Sequence, residues 1–174
     1  MKRILIIGGN GAGKSTFSRA LADKTGLPLY HLDKLYWYGD WQVTPREEFL
    51  EQVEAITQSS QWIIEGNNLR SLSCRLARAD TVFWLTFSPA RCVWNVICRE
   101  LRYHGKARPD MPASCLSRLD PEFLKTVWHF NRKNNETIRK LLQAHPHLQV
   151  IRFTGYRQMK TFLDGLQPNM RKPL

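Results

Sequence analysis

No apolar run in this sequence approaches the length needed to cross a bilayer. The first, Ile4 to Ile7, stops at Gly8, so the basic start Met1-Lys2-Arg3 is not followed by the apolar core of a secretion signal, and a cytoplasmic location is expected. CxxC pairs are lacking: the four cysteines, Cys74, Cys92, Cys98 and Cys115, form none and have no histidine partners at metal spacing. That argues against a zinc site or a disulfide frame and suits reduced thiols. No internal repeat, low-complexity tract or linker divides the chain, so residues 1–174 read as one domain. Helix-turn-helix, zinc-finger and RNP patterns are also missing. Acidic residues become scarce in the second half: residues 1–90 carry 10 basic and 9 acidic side chains, 91–140 carry 11 and 5, and 141–174 carry 5 and 1. The net charge of +11 therefore arises mostly beyond residue 90. Such a field attracts phosphate, whether on a nucleotide, an acidic substrate or nucleic acid.

What is present is a repeating alternation of short apolar runs and helical patterns. Arg3 to Ile7 has no helical period and is bounded by glycines, which predicts a buried parallel strand. Lys14 to Lys24 places Phe17, Ala20 and Leu21 on one helical face, with Gly26 just past the end. Leu29 to Leu32 reads as a second strand closed by Asp33. An aromatic-rich loop follows, and then Thr44-Pro45-Arg46-Glu47 suggests a capping box opening a helix to about Gln58. Trp62 to Ile64 and Thr81 to Phe87 read as further strands, the latter leading through Ser88-Pro89 into a helix to about Arg102. Residues 103–119, with Gly105, Pro109 and Pro112, predict an irregular excursion. Asp120-Pro121 opens a helix to about Gln143. His147 to Phe153 is a fifth strand, Gly155 to Gly165 a last helix, and 167–174 a frayed tail. Apolar strands alternating with helices imply an α/β fold: a five-stranded parallel sheet with helices on both faces.

Gly8-Gly9-Asn10-Gly11-Ala12-Gly13-Lys14-Ser15 matches G-x-x-x-x-G-K-[ST], and Thr16 follows. Glycines let the loop wrap close to phosphate oxygens, so that successive backbone N–H groups point at them. The following helix adds the positive end of its dipole. Lys14 reaches the β- and γ-phosphates in such a loop, Ser15 ligates Mg²⁺ and Thr16 bonds the α-phosphate. The match lies after a predicted strand and opens a predicted helix, as the mechanism requires. It implies a purine nucleoside triphosphate, ATP with Mg²⁺.

Ligands of doubly wound sheets bind beyond the carboxyl ends of the strands. Asp33 and Glu65 stand at two such ends, one suited to magnesium water and the other to an acceptor, or both are solvated loop acids. Arg99, Arg102 and Arg108 lie at and just beyond a helix end, either as stabilisers of γ-phosphate charge or as a solvated basic face. Arg70, Arg75 and Arg78 follow Glu65 at helical spacing, facing an acceptor or solvent. Tyr30, Tyr36, Trp37, Tyr38 and Trp41 form either an acceptor-pocket wall or core beneath a loop. His31, beside Asp33, reads as structural.

With these segments in view, the chain resembles the topology-modulation proteins of bacteria, which are adenylate-kinase-like P-loop proteins. The likeness runs from Lys2 to about Leu166. It is carried by His31-Leu32-Asp33-Lys34-Leu35-Tyr36-Trp37, Glu65-Gly66-Asn67 and Arg108-Pro109-Asp110-Met111. The resemblance implies nucleotide-kinase architecture with a lid near residues 103–119. It puts Ser15 and Glu65 on the magnesium side, Arg99, Arg102 and Arg108 in the lid region, and Arg152 to Arg157 near the adenine. Adenylate kinases carry Thr-Gly-Asp after the second strand where this chain has His31-Leu32-Asp33. That substitution is more like kinases that phosphorylate a hydroxyl. The expected activity is phosphoryl transfer from ATP to a nucleotide, nucleoside or sugar-like acceptor. The alternative is a nucleic-acid-associated ATPase or nucleotide switch modulating DNA topology.

Overall fold

In the computed structural model, residues 1–166 are described, and the predicted tail at 167–174 lies outside them. Five strands form one parallel sheet: β1 (Arg3–Gly8), β2 (Leu29–His31), β5 (Trp62–Glu65), β6 (Thr81–Leu85) and β7 (Gln149–Phe153), in the order β2-β5-β1-β6-β7. Side chains of a strand alternate between faces, and β1 uses that alternation on both. Leu5 and Ile7 join Trp62, Ile64, Val82 and Trp84 on one face, packed by helix α3 (Arg46–Gln58), α4 (Leu72–Arg78) and the end of α6 (Pro121–Gln143). Ile4 and Ile6 join Ile63, Phe83 and Leu85 on the other, under α1 (Lys14–Thr25), α5 (Pro89–Arg102) and α7 (Tyr156–Gly165). The predicted α/β architecture is the one observed. No helix among the described residues is long and apolar enough to cross a membrane.

Phe17, Phe83, Phe153 and Phe162 knit this second face. Phe17 and Phe83 meet edge to face at 5.0 Å, as do Phe83 and Phe162 at 4.9 Å, so α1, β6 and α7 share one aromatic joint. The outer strand β7 departs from the expectation of apolar strands throughout. Gln149, Val150 and Arg152 are exposed, because β7 is an edge with a neighbour on one side only.

Four local expectations are corrected. Leu32 and Asp33 do not end a strand; β2 stops at His31, and both residues open a short helix α2 (Leu32–Tyr36). The aromatic loop contains a hairpin, β3 (Trp37–Tyr38) paired antiparallel with β4 (Gln42–Val43). There is no capping box: Thr44 gives its hydroxyl to the carbonyl of Leu35 at 2.7 Å, so Pro45 precedes α3 without a side-chain cap. Lastly, β6 ends two residues short of Phe87, and β7 starts two residues after His147.

Strand β1 lies at the centre of the sheet, and the chain winds first to one side of it and then to the other. This is the topological switch point, where the loops leaving adjacent strands diverge and open a crevice. The loop after β1 is the glycine-rich one.

Candidate active site

Residues 8–13 form the turn between β1 and α1, and two of its glycines are required by space. A Cβ on Gly8 (φ +140°) would lie 2.2 Å from the Leu85 carbonyl oxygen, and one on Gly11 (φ +80°) would lie 2.2 Å from that of Cys92. Both are backbone clashes in a conformation that L residues rarely adopt. The loop is also pinned from outside. Asn67, after β5, accepts a bond from the Gly8 N–H at 2.8 Å and returns one to the Gly8 carbonyl. On the far side Asn95 of α5 donates to the Gly11 carbonyl at 2.8 Å and to the Tyr156 hydroxyl at 2.6 Å.

Lys14 opens α1 and is buried, its Nζ 3.2 Å from the Gly9 carbonyl and 4.0 Å from Glu65 Oε1. Glu65, at the end of β5, is buried as well. Its other oxygen, Oε2, lies 2.8 Å from His31 Nδ1 and 3.3 Å from Ser15 Oγ. Ser15 Oγ is also 3.0 Å from Oδ2 of Asp110. A hydroxyl has one hydrogen and cannot donate to two carboxylates at once, so one of these oxygen pairs meets without a proton between them. Hard oxygens gathered in that way suit Mg²⁺, which takes one or two carboxylates plus substrate phosphates rather than a full protein cage. Among the described residues, no group of three or more His, Cys, Asp or Glu side chains is arranged to hold a metal ion.

The arginines come from α5 and the segment beyond it. Glu100, buried on α5, takes Arg99 at 2.7 Å and Arg108 at 3.1 Å on the same oxygen, Oε1. Arg108 is buried, with Nε 3.6 Å from Asp110 Oδ1 and otherwise unsatisfied. Burial presses the Arg99 guanidinium below its ordinary value, and Arg108 beside it adds to the effect. Burial alone would raise the Asp110 carboxyl. Arg108, the local backbone and Ser15 outweigh it and hold the group below the usual range. Arg99 and Arg108 thus face two carboxylates, Glu100 and Asp110, in a balanced cluster beside the loop.

Asp33 has the opposite balance. Burial raises its pKa first and the charge of Glu65 next; Lys14 and Arg108 only partly offset them. Its carboxyl thus holds a proton more tightly than an ordinary aspartate does.

Two clefts open over these groups. One, of about 310 Å³, lies on the glycine-rich loop and is lined by Lys14, Ser15, Thr16, Glu65, Arg102 and Tyr156 among others. The second, of about 620 Å³, lies between α2, the β3–β4 hairpin and residues 108–123. Asn10, Lys14, Asp33, Arg99 and Arg108 line both. The structure therefore brings together Lys14, Ser15, Asp33, Glu65, Arg99 and Arg108; of the expected residues, Ser15, Thr16, Glu65 and Arg102 line the smaller cleft only.

Other expectations come out differently. The aromatics divide: Tyr36, Trp37 and Trp41 line the larger cleft, Tyr30 packs on the core, and Tyr38 is exposed. Arg70 and Arg78 are exposed, whereas Arg75 is fully buried and faces neither solvent nor acceptor. It donates to the carbonyls of Gly66, Asn68 and Ser71 and so shapes the loop that carries Asn67; burial lowers its pKa to about 10. Arg152 is occupied by Thr86 and lies over the Trp84 ring at 5.5 Å. Glu100, Asp110 and Asn95 carry site contacts that sequence spacing did not single out. Asn67 and Asp110 were visible only within the segments that carry the resemblance.

A glycine-rich loop leaving the central strand of a five-stranded parallel sheet, with strand order β2-β5-β1-β6-β7, defines the P-loop fold of nucleoside-monophosphate-kinase type. Among solved structures, the chain is similar to a shikimate kinase from Bacteroides thetaiotaomicron. The TM-score is 0.54 at 18% sequence identity, over 94% of this chain and 94% of that one. A likeness at that identity speaks for the fold. No family model matches the chain, and no curated protein matches it.

Proposed function

We propose that the chain is a kinase that transfers the γ-phosphoryl group of ATP, with Mg²⁺, to the hydroxyl of a small molecule. The observation that carries this reading is the junction of the two clefts. Lys14, Asp33, Arg99 and Arg108 line both, so a donor on the glycine-rich loop and an acceptor beyond it would face each other across these groups. In-line transfer needs that proximity more than any covalent chemistry from the protein.

In this mechanism the loop N–H groups and Lys14 hold the β- and γ-phosphates, Thr16 the α-phosphate, and Arg102 adds charge in the donor cleft. Ser15 and Glu65, with Asp110 beside them, would hold Mg²⁺, which neutralises charge on the phosphate oxygens. Asp33 orients the acceptor hydroxyl and takes its proton as the oxygen bonds to γ-phosphorus and the bond to the ADP oxygen breaks. Arg99 and Arg108 balance the charge carried by the transferring oxygens. His31 fixes Glu65 rather than acting itself. The likeness to topology-modulation proteins goes with this reading and leaves the acceptor open among nucleotides, nucleosides and sugar-like molecules.

The test is ADP release from ATP·Mg across a panel of nucleosides, nucleoside monophosphates and sugars. At least one hydroxyl compound is expected to accelerate it well above the rate with water. If none does, and DNA does instead, the kinase reading gives way to a nucleic-acid-linked ATPase.

A further inference from the structure

Trp41 stands alone in the backbone. Among the described residues it is the one non-glycine at positive φ, +57°. A bulky side chain there is strained, and such strain persists only where surrounding contacts hold it. The contacts are identifiable. The Trp41 indole N–H donates to the Leu116 carbonyl at 3.2 Å, and its ring meets Trp37 edge to face at 5.5 Å. The same hairpin turn is tied again to the same segment: Ser114 and Cys115 both donate to the Gly39 carbonyl, at 2.6 and 3.3 Å. The β3–β4 hairpin and residues 114–116 thus hang on each other, and the hairpin's Trp37 and Trp41 line the larger cleft.

The lining of that cleft is mixed. Lys14, Asp33, Arg99 and Arg108 are shared with the smaller cleft; beyond them the wall carries the rings of Tyr36, Trp37, Trp41 and Phe123, and also Asn67, Asn68, Glu100, Arg118 and Asp120. A compound filling the cleft therefore meets charge where the two clefts join, and both aromatic surface and hydrogen-bonding groups beyond. A polyol could bond the polar groups but would leave four aromatic rings facing polar surface. A flat ring joined to a hydroxyl-bearing group uses both kinds of lining.

We propose that Trp41 is an acceptor-positioning residue: held in its strained conformation by the 114–116 segment, it forms with Trp37 the wall on which a flat heterocyclic ring stacks, and the acceptor is a nucleoside. This rests on the kinase reading for the direction in which the hydroxyl points, and on the cleft alone for the ring.

The experiment is calorimetric binding of adenosine, guanosine, cytidine and thymidine, with ribose, glucose and glycerol as ring-free probes. It is run with saturating ADP so that adenosine cannot enter the donor cleft. At least one nucleoside is expected to bind, and the ring-free compounds to bind far more weakly. Trp41→Ala should weaken the nucleoside about tenfold or more, the usual scale for losing a stacked base. Trp41→Phe should restore most of that loss while speeding amide exchange in residues 112–117, because the ring remains and the indole donor is gone. Unchanged ADP affinity and melting temperature in both variants exclude a folding defect. Equal binding of ribose and nucleosides, no nucleoside binding at all, or full nucleoside affinity in Trp41→Ala would each overturn the proposal. The two readings fail separately. Nucleosides that bind at Trp41 but accept no phosphoryl group from ATP remove the kinase reading and keep the wall. Phosphorylation of a sugar with no nucleoside binding does the reverse.

Discussion

Single residues carry this site because each solves one electrostatic problem. Lys14 is a buried cation whose partners, the Gly9 carbonyl and Glu65, do not fill its capacity for three donors. Lys14→Ala is expected to leave the fold intact and to abolish measurable ATP turnover, since packing does not need the ammonium and triphosphate does. Calorimetry with ATP and MgCl₂ decides it; equal affinity in wild type and variant would remove the nucleotide assignment. Asp33 offers a sharper test. Its pKa is raised by burial and by Glu65, so the ionised form that a general base requires is lost as pH falls through a value above the ordinary aspartate range. The acid limb of kcat/KM should therefore lie higher than that of a solvated carboxylate. Asp33→Asn should cut kcat by about 10²-fold or more with ATP affinity nearly unchanged. Stability should move the other way. A carboxyl with a folded pKa above its unfolded one costs stability at neutral pH, so the variant should melt higher there. That gain should vanish at acid pH, where both states are protonated. A variant that keeps its rate on a hydroxyl acceptor would return Asp33 to a structural or metal role.

At the scale of elements, the loop after β5 is held by a buried arginine with no carboxylate partner among the described residues. Arg75 satisfies the carbonyls of Gly66, Asn68 and Ser71, and through that loop it places Asn67 on Gly8. Arg75→Met keeps most of the volume but leaves those carbonyls unpaired. A loss of about 3 kcal/mol in chemical denaturation is expected, together with weaker ATP binding. A neutral change would mean that water replaces the guanidinium without penalty. The contrast with the sequence is instructive here. Strands β1, β5 and β6 were legible because burial on both faces makes them apolar throughout, and the P-loop because phosphate wrapping demands glycines at fixed spacing. Arg75 was not legible, since an arginine at helical spacing looks the same whether its partners are water or carbonyls brought back by a loop. Asp110 and Glu100 were missed for a related reason: their roles depend on residues 103–119 folding back onto Ser15 and α5. The hairpin of Trp37–Tyr38 with Gln42–Val43 escaped because strands of two residues carry no period.

At the scale of the whole molecule the question is what the charge of +11 is for. Part of it belongs to the site: Lys14, Arg99, Arg102 and Arg108 line the donor cleft. Much of the rest lies elsewhere. Lys125, Arg132, Lys133, Arg139 and Lys140 are exposed along α6, where Glu122 and Glu136 pair with only two of them. Exposed cations on one helix give non-specific attraction to any polyanion, and that attraction falls steeply with salt because counterions are released. The kinase reading therefore predicts that duplex DNA binds at low ionic strength and is lost by about 0.2 M salt. It predicts further that ATP leaves this binding unchanged and that DNA leaves ADP release unchanged. The reason is spatial: the exposed α6 cations are not among the residues lining either cleft, so occupancy of one surface has no differential contact with the other. Fluorescence anisotropy of labelled DNA with and without ATP·Mg, and ADP release with and without DNA, measure the two directions of the same coupling. Reciprocal coupling of about fivefold or more at physiological salt would show that the basic surface and the P-loop act together, and would favour the DNA-linked ATPase over the small-molecule kinase.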